Sequence, residues 1–298
     1  MQLLHRTIVG NAQGPHLLIT AGVHGDEFEP MAAVRQLMGM IDPSKLHGRV
    51  TLVPVVNEPA FARGARTADD GLDLARVCPG RADGSVTEQI ADALSQMIRA
   101  ADYFIDLHTG GLALEIVALA GYMLHPDAAV LEVQRRMARA FNLPLVWGTS
   151  ARLDGRSLSV ARDAEVPAIY VENGGGGPCD PAKVAELIAG CLGVMAELGM
   201  IDRVGSISRV RHIVEDDRDQ SGHLQINHPS PRDGFFEPAV RLGQIVSAGD
   251  TIGTVTNALG DDVATVHASN SGMILMLRAF RSVKRSDPLA AIVPVEET

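Results

Sequence analysis

The sequence predicts an α/β protein in two parts: a three-layer α/β/α domain with a mixed sheet at residues 1–205, and a smaller β-rich, barrel-like domain at residues 206–298. Three observations lead to this prediction. Over about the first 200 residues, apolar strand-like segments alternate with helical patterns, as in a sheet covered by helices. Beyond that point, short β-rich runs separated by glycine replace the helical pattern. Within this second part, residues 246–255 are repeated by residues 283–292.

The first elements alternate as the fold class requires. An apolar run at 16–23 predicts a buried strand, and 27–40 predicts a helix that tolerates Pro30 in its first turn. Residues 49–56 predict a second strand. The irregular segment that follows, 57–84, is rich in arginine, aspartate and glycine, and in a compact domain such a segment is usually a functional loop.

The remaining elements of the first domain carry helix-start signals. Ser85 and Glu88 form a capping box that opens a helix at 85–100, and Asp180 followed by Pro181 is typical of a helix N-terminus. Further strands are predicted at 103–108, 114–120, 143–147 and 167–172, and further helices at 127–141, 157–165 and 181–199. The alternation therefore continues to the end of the domain.

Composition excludes several classes of function. The formal net charge is -10 and lysine occurs only three times in 298 residues, which argues against binding to nucleic acid or to an anionic membrane. The N-terminus does not read as a signal peptide, and no apolar run is long enough to span a membrane. Three cysteines without metal-type spacing fit reduced thiols. We therefore expect a cytoplasmic protein that acts on a small molecule.

Polar side chains follow three of the predicted strands. His24 and Glu27 lie just after the first, and His108 and Glu172 end two later ones. Strand ends meet at one edge of an α/β sheet, and two histidines with one carboxylate are a common ligand set for catalytic zinc. Glu172 is a candidate for moving protons beside the metal. Asp106, two residues before His108, either orients that ligand or is a structural buried aspartate.

The motifs that carry these residues resemble those of the succinylglutamate desuccinylase/aspartoacylase family. They are HGDE at 24–27, DLHTG at 106–110 and VENGG at 171–175, and the loop at 57–80 is also similar. The resemblance extends over about residues 16–200 and into the β-rich tail. It implies a zinc-peptidase-like fold, because that family belongs to the zinc carboxypeptidase-like enzymes.

The resemblance also implies roles for individual residues. One Zn²⁺ per chain would be bound by His24, Glu27 and His108, with Glu172 as general base and then acid, Arg66 at the scissile carbonyl, and Arg76 and Asn57 at the substrate. The family usually has Asn-Arg where this chain has Ala75-Arg76. That departure bears on which substrate is bound more than on the chemistry.

The sequence therefore predicts a zinc-dependent deacylase that hydrolyses the amide bond of a small N-acyl amino acid or related amide. Two alternatives stay open at this stage: a metallocarboxypeptidase that cleaves peptides, and a non-catalytic zinc-binding module. The β-rich domain resembles the half-barrels of biotinyl and lipoyl carriers, but the hairpin at 257–262 has no carrier lysine. We expect it to pack beside the site, and the sequence leaves open whether the protein is a homo-oligomer.

Overall fold

The computed structural model describes residues 1–202, 205, 207–219, 221–224 and 227–295. The predicted domain boundary at Ser206 falls outside the described residues. The strands, in chain order, are β1 (Arg6–Val9), β2 (Ala12–Ala21), β3 (His47–Val53), β4 (Tyr103–His108), β5 (Leu114–Met123), β6 (Leu145–Thr149), β7 (Ala168–Gly175), β8 (His212–Glu215), β9 (Gly234–Pro238), β10 (Ile245–Val246), β11 (Thr251–Thr256), β12 (Ala264–His267), β13 (Gly272–Arg278), β14 (Ser282–Val283) and β15 (Ala290–Val293). The helices are α1 (Phe28–Met40), α2 (Glu58–Arg63), α3 (Leu74–Val77), α4 (Val86–Arg99), α5 (Ala128–Phe141), α6 (Ser157–Asp163) and α7 (Pro181–Glu197), with a short 3₁₀ turn at Pro43–Lys45.

A large mixed sheet organises the molecule. Its strand order is β1-β3-β2-β4-β7-β5-β13-β10. In addition, β15 pairs with β13, β6 pairs with β5, and β8 pairs with β6. The strands β3, β2, β4 and β7 run parallel to one another, whereas β5 is antiparallel to β7. The predicted α/β class with a mixed sheet is therefore confirmed. Pairing of β13 with β5 and of β8 with β6 joins the C-terminal strands to the same sheet.

Several element bounds differ from the predictions. The strand predicted at 16–23 is β2, which begins earlier and ends at Ala21 because Gly22 adopts a φ of +69° and turns the chain. The strand β7 continues past Glu172 to Gly175. The segment predicted as irregular, 57–84, contains the short helices α2 and α3. Short helices are hard to predict because they lack a full period of apolar residues.

The central strands are buried on both faces. On β2, Leu17 and Ile19 pack in a cluster with apolar residues of α1, α5 and α7, whereas Leu18 packs with Phe104 and residues of α4 and α6. Successive strand residues point to opposite faces, so a strand that is covered on both sides must be apolar throughout. This explains why the sequence of β2 reads as a continuous apolar run rather than an alternating one.

The repeat seen in the sequence has a structural counterpart. Strands β12, β11, β9 and β14 form a second, antiparallel sheet, and β13 in the large sheet pairs with both β10 and β15. Each repeat thus contributes one strand to each sheet. The turns between them match as well, because Asp250 Oδ2 accepts from Ser247 N at 2.8 Å and Asp287 Oδ2 accepts from Lys284 N at 3.1 Å.

In the part of the chain that the structure describes, none of the helices combines the length and the apolar character needed to cross a membrane.

Candidate active site

The two halves of the candidate metal centre come from neighbouring strands. His24 and Glu27 lie in the turn between β2 and α1, where Glu27 is the N-cap residue of the helix. A side chain at Gly25 would collide with Ala60 at 2.1 Å, so this turn needs glycine to pack closely on α2. His108 is the last residue of β4, which pairs directly with β2. Adjacent parallel strands therefore bring the three side chains together.

The three side chains converge on one point. Nitrogen or oxygen atoms of His24, Glu27 and His108 all lie within 4.8 Å of one another, and all three residues are buried. His24 Nδ1 lies 2.6 Å from Glu27 Oε1, and His108 Nδ1 lies 3.0 Å from Glu27 Oε2. Both imidazole rings thus turn the same nitrogen toward the same carboxylate. This donor set could hold a metal ion, since imidazole nitrogen and carboxylate oxygen are ligands that zinc accepts.

The outward nitrogens of both rings are held by aspartates. His24 Nε2 lies 3.1 Å from Asp73 Oδ1, and His108 Nε2 lies 3.2 Å from Asp106 Oδ2. Asp106 is fully buried and also accepts hydrogen bonds from Thr20 and Ser157. A carboxylate on the far nitrogen fixes the tautomer and orientation of a metal-binding histidine. The Asp106 contact matches the orienting role raised from the sequence, whereas a contact between Asp73 and a metal-binding histidine was not predicted.

Charge governs the protonation of this cluster. Burial by itself raises the pKa of Glu27, but the positive charges of His24 and His108 outweigh it and hold that pKa well below its usual range. Burial by itself lowers the pKa of His108, but the carboxylates of Asp106 and Glu27 raise it well above its usual value. The Glu27 and Asp106 carboxylates and the protonated His108 ring therefore stabilise one another's charges. Metal binding would displace protons from the cluster.

Glu172 lies beside the cluster. On β7 it is paired in register with His108 on β4, so the two side chains leave the sheet on the same face. Its Oε2 atom is buried and has no hydrogen-bond partner among the described residues. Burial raises the pKa of Glu172 to about 8, against the opposing charges of His108 and Arg66. A carboxylate with a pKa near neutrality can both accept and return a proton.

Arg66 reaches the cluster from the loop before α3. Its Nη2 donates to Asp73 Oδ2 at 2.9 Å, and its Nη1 lies 3.8 Å from Glu27 Oε1. Burial by itself lowers the pKa of Arg66, but the charges of Asp73 and Glu27 raise it. The guanidinium is therefore a fixed positive charge next to the metal ligands. Asp73 connects it to His24.

A small pocket opens next to these groups, with a cavity of ≈ 90 Å³. Its lining residues are His24, Arg66, Ala75, Arg76, His108, Met123, Thr149, Leu153, Arg156, Ser157, Leu158, Tyr170, Glu172, Gly222 and Leu224. Drug-sized ligands occupy pockets of roughly 300–1,000 Å³, so this cavity fits a much smaller molecule. Gly222 and Leu224 belong to the C-terminal part, which thus packs beside the site as expected.

The structure also places the other predicted residues. Arg76 lines the pocket, whereas Asn57 is fully buried as the N-cap of α2, where its Oδ1 accepts from Ala60 N at 3.2 Å. Asn57 is not among the residues that line the cavity. The role of Asn57 at the substrate stays a prediction. Its amide is already used inside the protein.

Arg156 is a pocket residue that the sequence did not point to. It precedes α6, and no ion pair of its side chain is found in the described part of the chain. Burial and the nearby charge of Arg76 lower the pKa of Arg156 to about 10. Within the described residues, Arg156 therefore forms no ion pair with a carboxylate and lies near other arginines. Such a guanidinium favours an anionic ligand. An isolated arginine before a short helix gives no signal in a single sequence.

Known proteins are similar to this chain in sequence and in fold. Residues 13–198 match the succinylglutamate desuccinylase/aspartoacylase catalytic domain, which is more than half of the chain. The chain belongs to the succinylglutamate desuccinylase/aspartoacylase family. The resemblance predicted from the three motifs is confirmed by this match. Members of this family are hydrolases that remove acyl groups from amides.

Individual relatives agree with this assignment. The chain is 33% identical, over 98% of its own length and 86% of the relative, to the N-alpha-acetyl-L-2,4-diaminobutyric acid deacetylase of Halomonas elongata. A succinylglutamate desuccinylase structure from Silicibacter sp. TM1040 superposes with a TM-score of 0.88 at 28% identity, covering 98% of this chain and 88% of that one. The product-bound ectoine utilization protein EutE (DoeB) of Ruegeria pomeroyi gives 0.86 at 28% identity, with coverages of 97% and 87%.

Proposed function

We propose that this protein is a zinc-dependent amidohydrolase that converts a small N-acyl amino acid and water into a carboxylate and a free amine. The observation that carries the proposal is the clustering of His24, Glu27 and His108 beside one small pocket that His24, His108, Glu172 and Arg66 line. Family membership supports amide deacylation, and the geometry supplies the residues for it.

His24, Glu27 and His108 would hold one zinc ion, because two imidazoles and a carboxylate with fixed outer partners fit that metal. Zinc in such a site activates water at neutral pH and polarises a carbonyl oxygen. The other steps fall to the protein. Glu172 accepts a proton from the attacking water and later donates it to the leaving amine. Arg66 stabilises the negative charge that develops on the carbonyl oxygen.

The pocket defines the class of substrate. Its described lining carries three guanidinium groups, those of Arg66, Arg76 and Arg156, and one carboxylate outside the metal ligands, Glu172. We therefore propose that Arg76 and Arg156 bind the carboxylate of the amino-acid part. The cavity of ≈ 90 Å³ favours a small acyl group such as acetyl over a peptide. The Halomonas relative, named for an N-acetyl substrate, is consistent with this choice.

We also propose the layer arrangement of the sheet and helices and the division into two domains. Helices α1, α5 and α7 share one apolar cluster with the sheet, and α4 and α6 share another, which supports a three-layer arrangement. Each repeat contributes one strand to the large sheet and one to the second sheet. This arrangement supports a barrel-like second domain at residues 206–298 that follows a catalytic domain at residues 1–205. A cytoplasmic location stays a prediction from the cysteine content.

The test is to compare turnover of N-acetyl amino acids with that of dipeptides, for the wild type and for Glu172→Gln, with zinc content measured in both. We expect the wild type to release acetate and to prefer the N-acetyl amino acids. Loss of the proton acceptor should lower kcat by about 10²- to 10⁴-fold while zinc stays bound.

Glu186→Gln is the matched control, because Glu186 bonds Asn173 and Arg209 and does not line the pocket. Its turnover should stay near that of the wild type. A strong preference for peptides, or zinc binding without turnover of any compound tested, would contradict the proposed function. Unchanged turnover in Glu172→Gln would remove that residue from the mechanism.

A further inference from the structure

One side chain of the pocket has a polar atom with no assigned purpose. Tyr170 lies on β7, two residues before Glu172, so both side chains leave the same face of the strand. The ring lines the pocket, and its hydroxyl oxygen is buried with no hydrogen-bond partner in the described part of the chain. A buried hydroxyl without a partner costs stability, and such groups are uncommon in folded proteins. This hydroxyl therefore calls for an explanation.

The position of the ring is imposed by the neighbouring strand. Tyr170 is paired with Gly121 on β5, and a side chain at Gly121 would meet the Tyr170 ring and hydroxyl at 2.2–2.5 Å. Glycine weakens a strand interior, so it is usually placed where another group must approach closely. Here the space that a side chain would fill is taken by the tyrosine ring. The Tyr170 hydroxyl is held where it is by this pairing.

The groups around the hydroxyl do not satisfy it. Thr149 lies nearby, and its interaction with the phenol by itself lowers the pKa of Tyr170, but no hydrogen bond of ordinary geometry joins the two side chains in the described part of the chain. The Thr149 hydroxyl donates instead to the Tyr122 carbonyl at 3.2 Å. Burial and the charge of Glu172 raise the pKa of Tyr170, so its hydroxyl keeps its proton and is a donor near neutrality. Arg156 lines the same cavity and has no ion pair in the described chain. The Tyr170 hydroxyl and the Arg156 guanidinium are therefore two hydrogen-bond donors at the same small cavity.

We infer that Tyr170 is a substrate-binding residue whose hydroxyl donates a hydrogen bond to a carboxylate oxygen of the N-acyl amino acid, beside Arg156. This inference rests on the proposed function. A carboxylate has two oxygens and several lone pairs, so it can accept from a guanidinium and a phenol together. Tyr170 would then help select substrates that carry this carboxylate, without taking part in the chemical step.

The variant Tyr170→Phe keeps the ring over Gly121 and removes only the hydroxyl. For the N-acetyl amino acid that the wild type hydrolyses best, we expect KM to rise about tenfold and kcat to change little. Tyr122→Phe is the matched control. Its hydroxyl donates to Glu215 at 2.7 Å, and Tyr122 does not line the pocket. Its KM should equal that of the wild type.

Urea unfolding of the ligand-free proteins gives a second readout that does not depend on activity. Tyr170→Phe should unfold at the same urea concentration as the wild type or at a higher one, because no internal hydrogen bond is lost. Tyr122→Phe should unfold at a lower concentration. A loss of stability in Tyr170→Phe equal to that in Tyr122→Phe would mean that the Tyr170 hydroxyl has a partner within the protein, which overturns the inference.

The kinetic outcomes separate this inference from the proposed function. An unchanged KM in Tyr170→Phe, or a fall in kcat at constant KM, overturns the binding role while leaving the deacylase assignment intact. A wild type that hydrolyses none of the N-acyl amino acids overturns the proposed function and, with it, the substrate named here. A raised KM together with undiminished stability supports the inference.

Discussion

The metal-ligand cluster and the substrate end of the pocket differ in how completely their polar atoms are paired. In the cluster, the outward nitrogens of His24 and His108 each contact an aspartate, and Glu27 contacts both rings. At the substrate end, Arg156 has no ion pair and Tyr170 has no hydrogen-bond partner within the described chain. The two regions share one cavity.

The difference corresponds to two ways of binding. A cluster whose outer contacts are complete holds its ligand atoms in place before any ion arrives, so little ordering is needed on binding. A recognition end with unpaired donors gains its missing partners only when the substrate enters, so a compound that lacks them is bound weakly. Three predictions test this comparison, in decreasing order of expected effect.

The largest effect is expected from His108→Ala. This change removes one of three ligands and leaves Asp106 without its imidazole partner. We expect zinc affinity to fall by more than about a hundredfold, because changing only an outer partner of a ligand already costs about 10- to 100-fold. Metal content after dialysis against zinc-free buffer, measured by elemental analysis, checks this.

His125→Ala serves as control for the loss of a buried histidine. His125 is buried and contacts the Arg162 carbonyl, away from the three ligands. It should retain zinc like the wild type. Equal zinc content in His108→Ala and the wild type would show that the cluster is not a metal site.

The second prediction concerns Glu172, which stands between the two regions and whose buried Oε2 has no hydrogen-bond partner in the part of the chain that the structure describes. Burial raises its pKa from 4.5 to about 8 in the folded protein. The folded protein therefore holds a proton that the unfolded chain releases in this window, and its stability falls as pH rises from about 4.5 toward 8. Glu172→Gln lacks this titration, so in metal-free protein at pH 7 it should be more stable than the wild type by about 3 kcal/mol.

Urea unfolding at several pH values checks the direction in which stability changes with pH. The advantage of Glu172→Gln should vanish near pH 4, where the wild-type carboxyl is protonated in both states. Glu215→Gln should behave in the opposite way, because hydrogen bonds from Arg135 lower the pKa of Glu215. An advantage of Glu172→Gln that is the same at all pH values would mean that the charge of Glu172 is not the cause.

The sequence predicted the cluster better than the substrate end. His108 and Glu172 were found because each ends a predicted apolar strand, and the two strands are neighbours in the sheet. Arg156 and Tyr170 could not be found in this way. Their roles depend on which strand lies next to β7 and on the room that Gly121 leaves for the Tyr170 ring, and a single sequence gives neither. The joining of β13 to β5 is a long-range contact of the same kind.

The smallest of the three effects is expected from Asp73→Asn, which probes how far the outer contacts fix the cluster. Asp73 Oδ1 contacts His24, and Asp73 Oδ2 accepts two hydrogen bonds from Arg66. Asparagine keeps the first contact as a weaker, neutral one and turns an amide donor toward the guanidinium, so the His24 ring is oriented less firmly and Arg66 loses its carboxylate partner.

We therefore expect zinc affinity to fall about 10- to 100-fold, with a further loss in kcat from the misplaced Arg66. The control is Asp70→Asn in the same loop. Asp70 bonds Ser85 and Thr87 and touches neither His24 nor Arg66. If Asp73→Asn binds zinc as tightly as Asp70→Asn does, the outer carboxylate contributes nothing to metal binding. Among the described residues, Asp106 would then be the carboxylate that remains to orient a metal-binding histidine from outside, through its contact with His108.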